Sequence, residues 1–287
     1  MKTNRKINPL AVIFAVACLM VAITVLIIFI IGYRYTTLAN GAKFIGKSEN
    51  GQPVSGTIKY QTGTEAELDF FNKTIKYSNG DVYVGDISGG LRDGKGRMEF
   101  SATGDVYEGD FKNDEITGYG TFTYAQGDVY TGFLINSKKN GQGKFVSANG
   151  NVYEGNYVDD VRSGEGKFVW ASGAVYEGEF ADDLKSGKGV MIYDNGDKYE
   201  GTFKNDMRDG DKGIYTWANG ERYNGPFRNN LQDTRLVDEN GNFIVNEYGE
   251  YVHGEKATYY FTTGRQYRGY FTEGKANDVV LQPASEG

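Results

Sequence analysis

The chain is poor in the residues on which many enzymes and disulfide-rich domains depend. Its 287 residues include one cysteine, Cys18, and one histidine, His253. This excludes a disulfide framework and a zinc site with several Cys and His ligands. With only 4 prolines and no three-residue glycine period, collagen and proline-rich disorder are also excluded. Histidine-dependent catalysis would have to use His253, so we expect a non-catalytic protein without metal or cofactor.

Runs of basic residues are also missing, and the longest is the pair Lys138–Lys139. The formal net charge is −7, from 31 basic and 38 acidic residues. Residues 1–34 contain four basic residues and no acidic one, so residues 35–287 carry a net charge of −11. Phosphate backbones repel an acidic body of this kind, and we therefore expect no nucleic acid partner.

One long apolar segment lies near the N-terminus. Residues 10–31 have the sequence LAVIFAVACLMVAITVLIIFII, in which Thr24 is the only polar side chain. A helix of this length would be ~33 Å long and could cross the ~30 Å hydrocarbon core of a bilayer. Tyr33 and Tyr35 follow it, where an interfacial aromatic belt belongs. The segment predicts a transmembrane helix over 10–33, with residues 10–31 as the contact with the membrane.

The flanking charges indicate an orientation for this helix. Lys2, Arg5 and Lys6 precede it closely, whereas the basic residues after Arg34 are more widely spread. The positive-inside rule then favours a single-pass cell-membrane protein with a cytoplasmic N-terminus and an extracytoplasmic body. A cleaved signal peptide is the alternative, with residues 37–39 as a candidate cleavage site. Its apolar region, however, is usually only ~7–15 residues long.

The remainder of the chain is rich in glycine and aromatic residues, and it repeats itself. A Tyr-x-Gly motif recurs at a spacing of 23 or 24 residues, and a Gly-x-Gly motif follows it in the regular units. The motif tyrosines are Tyr83, Tyr107, Tyr130, Tyr153, Tyr176, Tyr199 and Tyr223. Each unit ends in a dipeptide such as Asn149-Gly150, typical of a two-residue hairpin turn. The period therefore predicts one hairpin per unit.

The unit 153–175 illustrates the expected hairpin. We predict strands over 153–157 and 164–170, a polar loop over 158–163 and a closing turn at Ser172-Gly173. Because side chains alternate along a strand, Tyr and Gly share one face and the charged residues share the other. Stacked units then place the rings of one strand over the glycines of another, where no Cβ obstructs them. Asp159 and Asp160 are more typical of a turn than of a calcium site.

These motifs together resemble the MORN repeat, clearly over 83–227 and in degraded form on either side. The resemblance implies an all-β fold, an elongated single-layer antiparallel β-meander of repeat hairpins, here preceded by one transmembrane α-helix. It also implies a scaffold for protein contacts at a membrane that is not itself catalytic. The expected segments are a cytoplasmic tail (1–9), the transmembrane helix (10–33), a stalk (34–55), N-terminal capping hairpins (56–82), MORN-like repeats (83–227), divergent C-terminal repeats (228–275) and a tail (276–287).

Two sets of residues are candidates for binding. The aromatic column follows the second strand of successive units and contains both tryptophans of the chain: Phe100, Tyr124, Trp170, Tyr193 and Trp217. Aromatic residues of this kind anchor protein partners and also stack on sugars, so an unidentified protein is the expected partner and a cell-wall polysaccharide the alternative. The second set lies on the charged face: Glu108, Glu154, Glu177 and Glu200. For each set, a purely structural role competes with binding.

Overall fold

A computed structural model describes residues 9–277, and it begins with one long apolar helix, α1 (Pro9–Ile30). The predicted apolar helix is thus confirmed, and it ends at Ile30, three residues before the end expected for the transmembrane segment 10–33. Every side chain from Val12 to Ile30 is exposed, so no described part of the chain covers this apolar surface. By length and composition, the helix is suited to cross a membrane.

The rest of the described chain is mostly β-structure, which confirms the predicted antiparallel meander. Strands β1 to β21 form one sheet in which successive strands pair, except that β18 pairs with both β19 and β20; β22 and β23 form a separate hairpin. The chain divides into two compact units, 1–125 and 126–287.

The first unit contains α1 and nine strands: β1 (Tyr33–Thr37), β2 (Lys43–Glu49), β3 (Gln52–Lys59), β4 (Glu65–Asp69), β5 (Thr74–Tyr77), β6 (Val82–Ser88), β7 (Leu91–Phe100), β8 (Asp105–Lys112) and β9 (Glu115–Thr123).

The second unit contains the remaining strands: β10 (Val129–Ile135), β11 (Lys138–Val146), β12 (Val152–Val158), β13 (Val161–Val169), β14 (Val175–Ala181), β15 (Leu184–Ile192), β16 (Lys198–Lys204), β17 (Met207–Thr216), β18 (Arg222–Arg228), β19 (Leu231–Gln232), β20 (Ala257–Tyr260), β21 (Gln266–Gly269), β22 (Phe271–Thr272) and β23 (Lys275–Ala276).

The core of each unit is a row of tyrosine rings packed on glycine, as the alternation predicted. In the repeat that begins at Tyr153, this ring is 2% exposed and Glu154 on the other face is exposed. A Cβ placed on Gly166 would lie 2.5 Å from the Tyr153 hydroxyl oxygen, so the ring occupies the space that only glycine leaves empty. Below, the face that carries these tyrosines is called the aromatic face.

The tyrosine hydroxyl has a second function that the sequence did not reveal. Strand β12 contains a β-bulge between Gly155 and Tyr157, where its register with β13 shifts. The Tyr153 hydroxyl donates to the carbonyl oxygen of Asn156 in this bulge at 3.0 Å. In the same way, the hydroxyl of each of the other six motif tyrosines donates to the backbone carbonyl oxygen of the residue three positions later. A phenylalanine could fill the space but would leave this carbonyl without its partner.

The two connections of the unit 153–175 have exchanged lengths relative to the prediction: the expected loop is the tight turn, and the expected tight turn is the longer connection. The predicted polar loop over 158–163 is a two-residue turn at Asp159-Asp160, both with positive φ, 47° and 75°. Such a pair is typical of the type I′ turn that matches strand twist. The connection at Ser172-Gly173 is wider: only Gly173 has positive φ, and Trp170 exchanges hydrogen bonds with Gly173 and Ala174. The expected two-residue turn there is wrong, because the last pair in the strand register is Val169 with Val175, which leaves five residues between the strands.

The segment 34–55, expected to be a stalk, is instead folded into the sheet. Strands β1 and β2 pair over five residues, and β2 pairs with β3. Ala42, Phe44 and Gly46 are buried at alternate positions, and Leu38 and Val54 are only 6% and 4% exposed, so these strands pack on the core. Because the alternating buried positions include an alanine and a glycine, hydrophobicity alone did not reveal them in the sequence.

The divergent region 228–275 keeps a buried centre made of different residues. Arg235 and Asp233 form a bidentate ion pair with side chains only 3% and 2% exposed, and the guanidinium lies 3.7 Å from the Phe243 ring centroid. Thr234 Oγ1 lies 2.7 Å from Nδ1 of His253, whose ring packs on Tyr270. His253 is thus a packing residue. The expected tails 1–9 and 276–287 lie outside the described residues, apart from residues 9, 276 and 277.

Candidate functional site

The aromatic column occupies the ends of the second strands, just before the wider turns. Phe100 and Tyr124 belong to the first unit; Trp170, Tyr193 and Trp217 belong to the second. All five rings are half-buried, unlike the fully buried motif tyrosines. Each therefore keeps one surface available to solvent, which a binding role requires and a purely structural role does not.

Ring contacts hold the column members against the core. Trp170 packs on Phe168 with ring centroids 4.5 Å apart, and Trp217 packs on Tyr215 at 4.8 Å. In the first unit, Phe122 contacts both column members, Phe100 at 5.7 Å and Tyr124 at 4.8 Å. Trp217 has an additional neighbour from the divergent region, Tyr259 at 5.2 Å. Further neighbours of Tyr193 include Tyr215, with ring centroids 6.0 Å apart.

A set of basic residues on the aromatic face was missed by the sequence analysis. We call it the basic row: Arg92 in the first unit, and Lys139, Arg162, Lys185 and Arg208 in the second. Each places its charge within 6 Å of several rings, as Arg162 does with Tyr153 and Phe180 at 5.5 and 5.2 Å. The signal was available, since a Lys or Arg recurs every 23 residues from 139 to 208. Cation–π attraction fixes these side chains over the aromatic core.

A turn residue from the following repeat holds most members of the basic row in place. The Arg162 backbone N–H donates to Oδ1 of Asp183 at 3.0 Å, and the Asp183 N–H donates to the Arg162 carbonyl oxygen at 3.2 Å. The Arg162 Nε–H also donates to Oδ1, at 2.8 Å. Burial alone would raise the pKa of Asp183, but the hydrogen bonds from Arg162 outweigh it and hold this pKa below its usual range. The carboxylate thus stays ionised at neutral pH and links two repeats.

A pocket of about 460 Å³ opens on the aromatic face between these groups. Its lining includes the aromatic residues Phe145 and Phe168 and the basic residues Lys139 and Arg162. Asn151 and Ser147 add hydrogen-bonding groups. Burial raises the pKa of Tyr153, also in its lining, to about 12, so this tyrosine remains a neutral hydrogen-bond donor. The pocket offers flat apolar surface beside cations and polar groups, which suits a side chain or a sugar ring better than a reaction.

The second candidate set lies on the opposite face, where three of the glutamates are exposed and Glu200 is half-buried, and all four form ion pairs there. Glu154 and Glu177 pair with lysines of the neighbouring strand, Lys144 at 3.7 Å and Lys167 at 3.3 Å. Glu108 pairs with Arg97 at 2.9 Å, and Glu200 with Lys198 at 2.9 Å. A shallow groove of about 1110 Å³ runs past Glu177 and Glu200. Exposed pairs of this kind contribute little to stability, and they also weaken the acidic field that a cationic partner would recognise.

Within residues 9–277, no cluster of three or more His, Cys, Asp or Glu side chains is arranged to hold a metal ion. The structure places the five aromatic candidates and the basic row on one face, and the four glutamates on the other. The arrangement is suited to recognition.

Comparison with known families identifies the repeat. The MORN repeat family matches six segments, at residues 83–102, 107–129, 130–152, 153–175, 176–198 and 199–222. The chain therefore contains six MORN repeats, with an apolar helix preceding them.

No curated protein matches the chain significantly. Among solved structures, it is similar to the TCP10 domain of Danio rerio CPAP, solved in complex with a peptide of Danio rerio STIL. Identity is 13%, the match covers 88% of this chain and 99% of that one, and the TM-score is 0.42. The TCP10c domain of Drosophila melanogaster Sas-4 is 16% identical over 60% of this chain and 99% of that one, with a TM-score of 0.32.

Proposed function

We propose that this protein is a membrane-anchored, non-catalytic MORN-repeat scaffold that binds a protein partner through its aromatic column. The observation that carries the proposal is the half-buried state of the column rings beside the basic row. A ring that only filled space would be covered, as Tyr176 is at 0% exposed. Trp170 instead keeps an open surface, with the Lys185 ammonium 5.7 Å from its ring centroid.

The chemistry of this face matches that of protein interfaces. Tyrosine, tryptophan and arginine are the residues that contribute most to binding energy when a partner excludes water from them. The hydrogen bonds between Arg162 and Asp183 fix the cation before any partner arrives. Because such a side chain has little freedom left to lose, less binding free energy is spent on ordering it.

The membrane part of the proposal follows from α1. Its exposed apolar side chains would be unfavourable in water and favourable in a bilayer. The residues behind the orientation argument, Lys2, Arg5 and Lys6, lie outside the described part of the chain. We place the N-terminus in the cytoplasm and the repeats outside it, with the same segment division as before, except that strands replace the stalk over 34–55.

Topology is tested by protease treatment of intact cells that carry the full chain with a C-terminal tag. If the repeats are outside the cytoplasm, the protease should remove the tag. If the tag is protected to the same extent as a cytosolic control protein, the proposed orientation is wrong. Intact mass of the purified chain separates an anchor from a signal peptide, since a cleaved chain lacks α1 altogether.

Polysaccharide binding is the alternative, and the pocket over 139–183 favours it. Phe145 and Phe168 supply flat rings there, and Ser147, Asn151 and Asp160 supply hydrogen-bonding groups around them. Stacking of a sugar on such a ring with polar groups at its edge would use the same surface.

One experiment decides between protein and polysaccharide. The full chain in detergent is compared with Trp217→Ala and Trp170→Ala, with Glu177→Gln on the charged face as the control. We expect a defined membrane protein to be captured by the wild type and the control, and captured less by the tryptophan variants. Retention on cell-wall polysaccharide without protein capture would support the alternative. Loss of capture only in Glu177→Gln would move the site to the charged face.

A further inference from the structure

One member of the basic row lacks the acidic partner that the others have. Arg208 occupies the position of Arg162 two repeats later, but the turn residue facing it is Asn230 instead of an aspartate. The side-chain oxygen Oδ1 of Asn230 accepts a hydrogen bond from the Arg208 backbone N–H at 2.9 Å. The backbone carbonyl oxygen of Asn230 accepts a second one from Arg208 Nη2 at 2.7 Å. The third bond seen at Arg162, from Nε to Oδ1, is absent, and Arg208 Nε is buried without a hydrogen-bond partner.

Asparagine has the shape of aspartate but no charge, so the exchange leaves the guanidinium without a directly bonded carboxylate. Each of the other four members of the basic row forms an ion pair with a turn aspartate. Among residues 9–277, Arg208 forms none. The nearby Asp197 attracts Arg208 through space, but it forms no ion pair with Arg208 and instead accepts a hydrogen bond from the Tyr215 hydroxyl at 2.6 Å. Burial alone would raise the pKa of Asp197, but its hydrogen bonds and the charge of Arg208 hold this pKa below its usual range. The guanidinium therefore retains its capacity to bind an anion.

The Arg208 guanidinium lines a pocket of about 220 Å³ whose walls are partly apolar and partly polar. Trp217, Tyr215 and Leu231 form apolar parts of the lining, and Asn230 and Gln232 form polar parts. The Arg208 carbon Cζ lies 4.9 Å from the Tyr215 ring centroid, and Tyr215 packs on Trp217. Sites for drug-sized ligands usually measure ~300–1,000 Å³, so this pocket is suited to a single side chain.

We propose that this pocket binds an acidic side chain of the protein partner, with its carboxylate on Arg208 and an adjacent apolar group on Trp217. The inference rests on the proposed function and names the chemistry that the aromatic column recognises at this end. A carboxylate suits the planar guanidinium, and the ring wall offers contact area that inorganic phosphate cannot use. The acidic charge of the body as a whole does not prevent this, because Arg208 is the only charged side chain among the described residues that line the pocket.

The test uses the full chain in detergent and two capped dipeptides, acetyl-Glu-Phe-amide and acetyl-Gln-Phe-amide, which differ only in the carboxylate. The chain has two tryptophans, so the indole N–H resonance of Trp217 is assigned with Trp217→Phe and followed by NMR. We expect the Glu dipeptide to bind about five- to tenfold more tightly than the Gln dipeptide, as a charge-assisted hydrogen bond requires.

Two variants separate this site from general folding effects. Asn230→Asp supplies the missing carboxylate, so it should abolish the preference for Glu while the melting temperature stays equal or rises. Asp183→Asn makes the corresponding change at Arg162 and should leave the Trp217 response as in the wild type. Equal binding of both dipeptides to the wild type, or a preference that survives Asn230→Asp, would overturn the inference.

Inorganic phosphate is the third probe. If phosphate shifts the Trp217 resonance and neither dipeptide does, the pocket is an inorganic anion site and the inference is wrong. Partner capture is scored separately with the same variants. Capture of a protein partner without a preference for the Glu dipeptide would support the proposed function and refute only this inference. A preference for the Glu dipeptide without capture of a partner would support this inference and count against the proposed function.

Discussion

Replacing Gly189 by alanine tests whether tyrosine on glycine is what holds the repeats together. A Cβ at this position would lie 2.6 Å from both Cε2 and the hydroxyl oxygen of Tyr176. The backbone of Gly189 does not have positive φ, so alanine adds no conformational strain there. The steric conflict is therefore with one ring, and overpacking of this kind destabilises by about 1–3 kcal/mol.

A double-mutant cycle isolates that conflict. Tyr176→Leu keeps an apolar side chain but removes the end of the ring that occupies the glycine position. In this background Gly189→Ala should be neutral or slightly stabilising, because alanine is favoured over glycine by about 0.5–1 kcal/mol within a strand. The coupling free energy should then reach about 1–3 kcal/mol.

Urea unfolding of the full chain in detergent gives these free energies. Trp217→Phe leaves Trp170 as the only tryptophan, and Trp170 packs on Phe168, which pairs with Tyr176 across β13 and β14. Its fluorescence therefore reports on the repeats concerned, which matters because repeat proteins can unfold in parts. The same cost for Gly189→Ala in both backgrounds would refute the packing argument.

Three other predictions can be checked with similar measurements. Tyr199→Phe removes the hydroxyl that donates to the Thr202 carbonyl at 3.0 Å and should lower the free energy of unfolding by about 0.5–1.5 kcal/mol; no change in the urea midpoint would contradict the bulge argument. Trp170→Ala and Trp217→Ala should each lower the free energy of unfolding by less than the ~3–5 kcal/mol typical of a fully buried ring, because both rings are half-buried. Trp217→Ala should weaken partner binding more than Trp170→Ala does. Equal losses of binding would contradict the special role of Trp217. Asp233→Asn should destabilise by up to about 3–5 kcal/mol, because it removes the buried partner of Arg235 and leaves only the exposed Glu273, at 3.2 Å. Near-neutral unfolding data would show that the buried pair is dispensable.

The same aspartate gives the divergent region a pH dependence. Burial alone would raise the pKa of Asp233, but the hydrogen bonds from Arg235 outweigh it and hold this pKa below its usual range. A lowered folded pKa means that the ion pair stabilises the protein fully above the unfolded value of about 3.9 and that this stabilisation is lost as the pH falls through the folded value. Unfolding in urea should thus become easier below about pH 4 in the wild type and depend less on pH in Asp233→Asn.

The parts of the fold that depend on local alternation could be predicted from the sequence. Tyr153 and Gly155 share a face because strand geometry requires it, and the 23-residue period repeats that requirement along the chain. The turns could not be assigned in the same way. Asp159-Asp160 and Ser172-Gly173 are both small and polar, and only the hydrogen-bond register of the strands decides which pair forms the tight turn.

The candidate site was predictable only in part. The aromatic column follows from strand parity, although its half-buried state does not. Arg162 beside a turn has the sequence signature of an ordinary solvated cation, and its position over the Tyr153 ring depends on a bulge that the pattern does not show. The exchange of aspartate for Asn230 acquires its meaning only when the structure pairs that residue with Arg208, 22 positions earlier.

The central claim, that the aromatic face binds a protein at the membrane, is tested most directly by site-specific photo-cross-linking in intact cells. A photoreactive residue is placed at Tyr193 or Trp170 on the aromatic face, and at Glu177 or Glu154 on the charged face as matched controls. We predict one cross-linked membrane protein from the first two positions, none from the controls, and a weaker product when Asn230→Asp is added. Cross-links of equal yield from both faces, or from the charged face alone, would contradict the account.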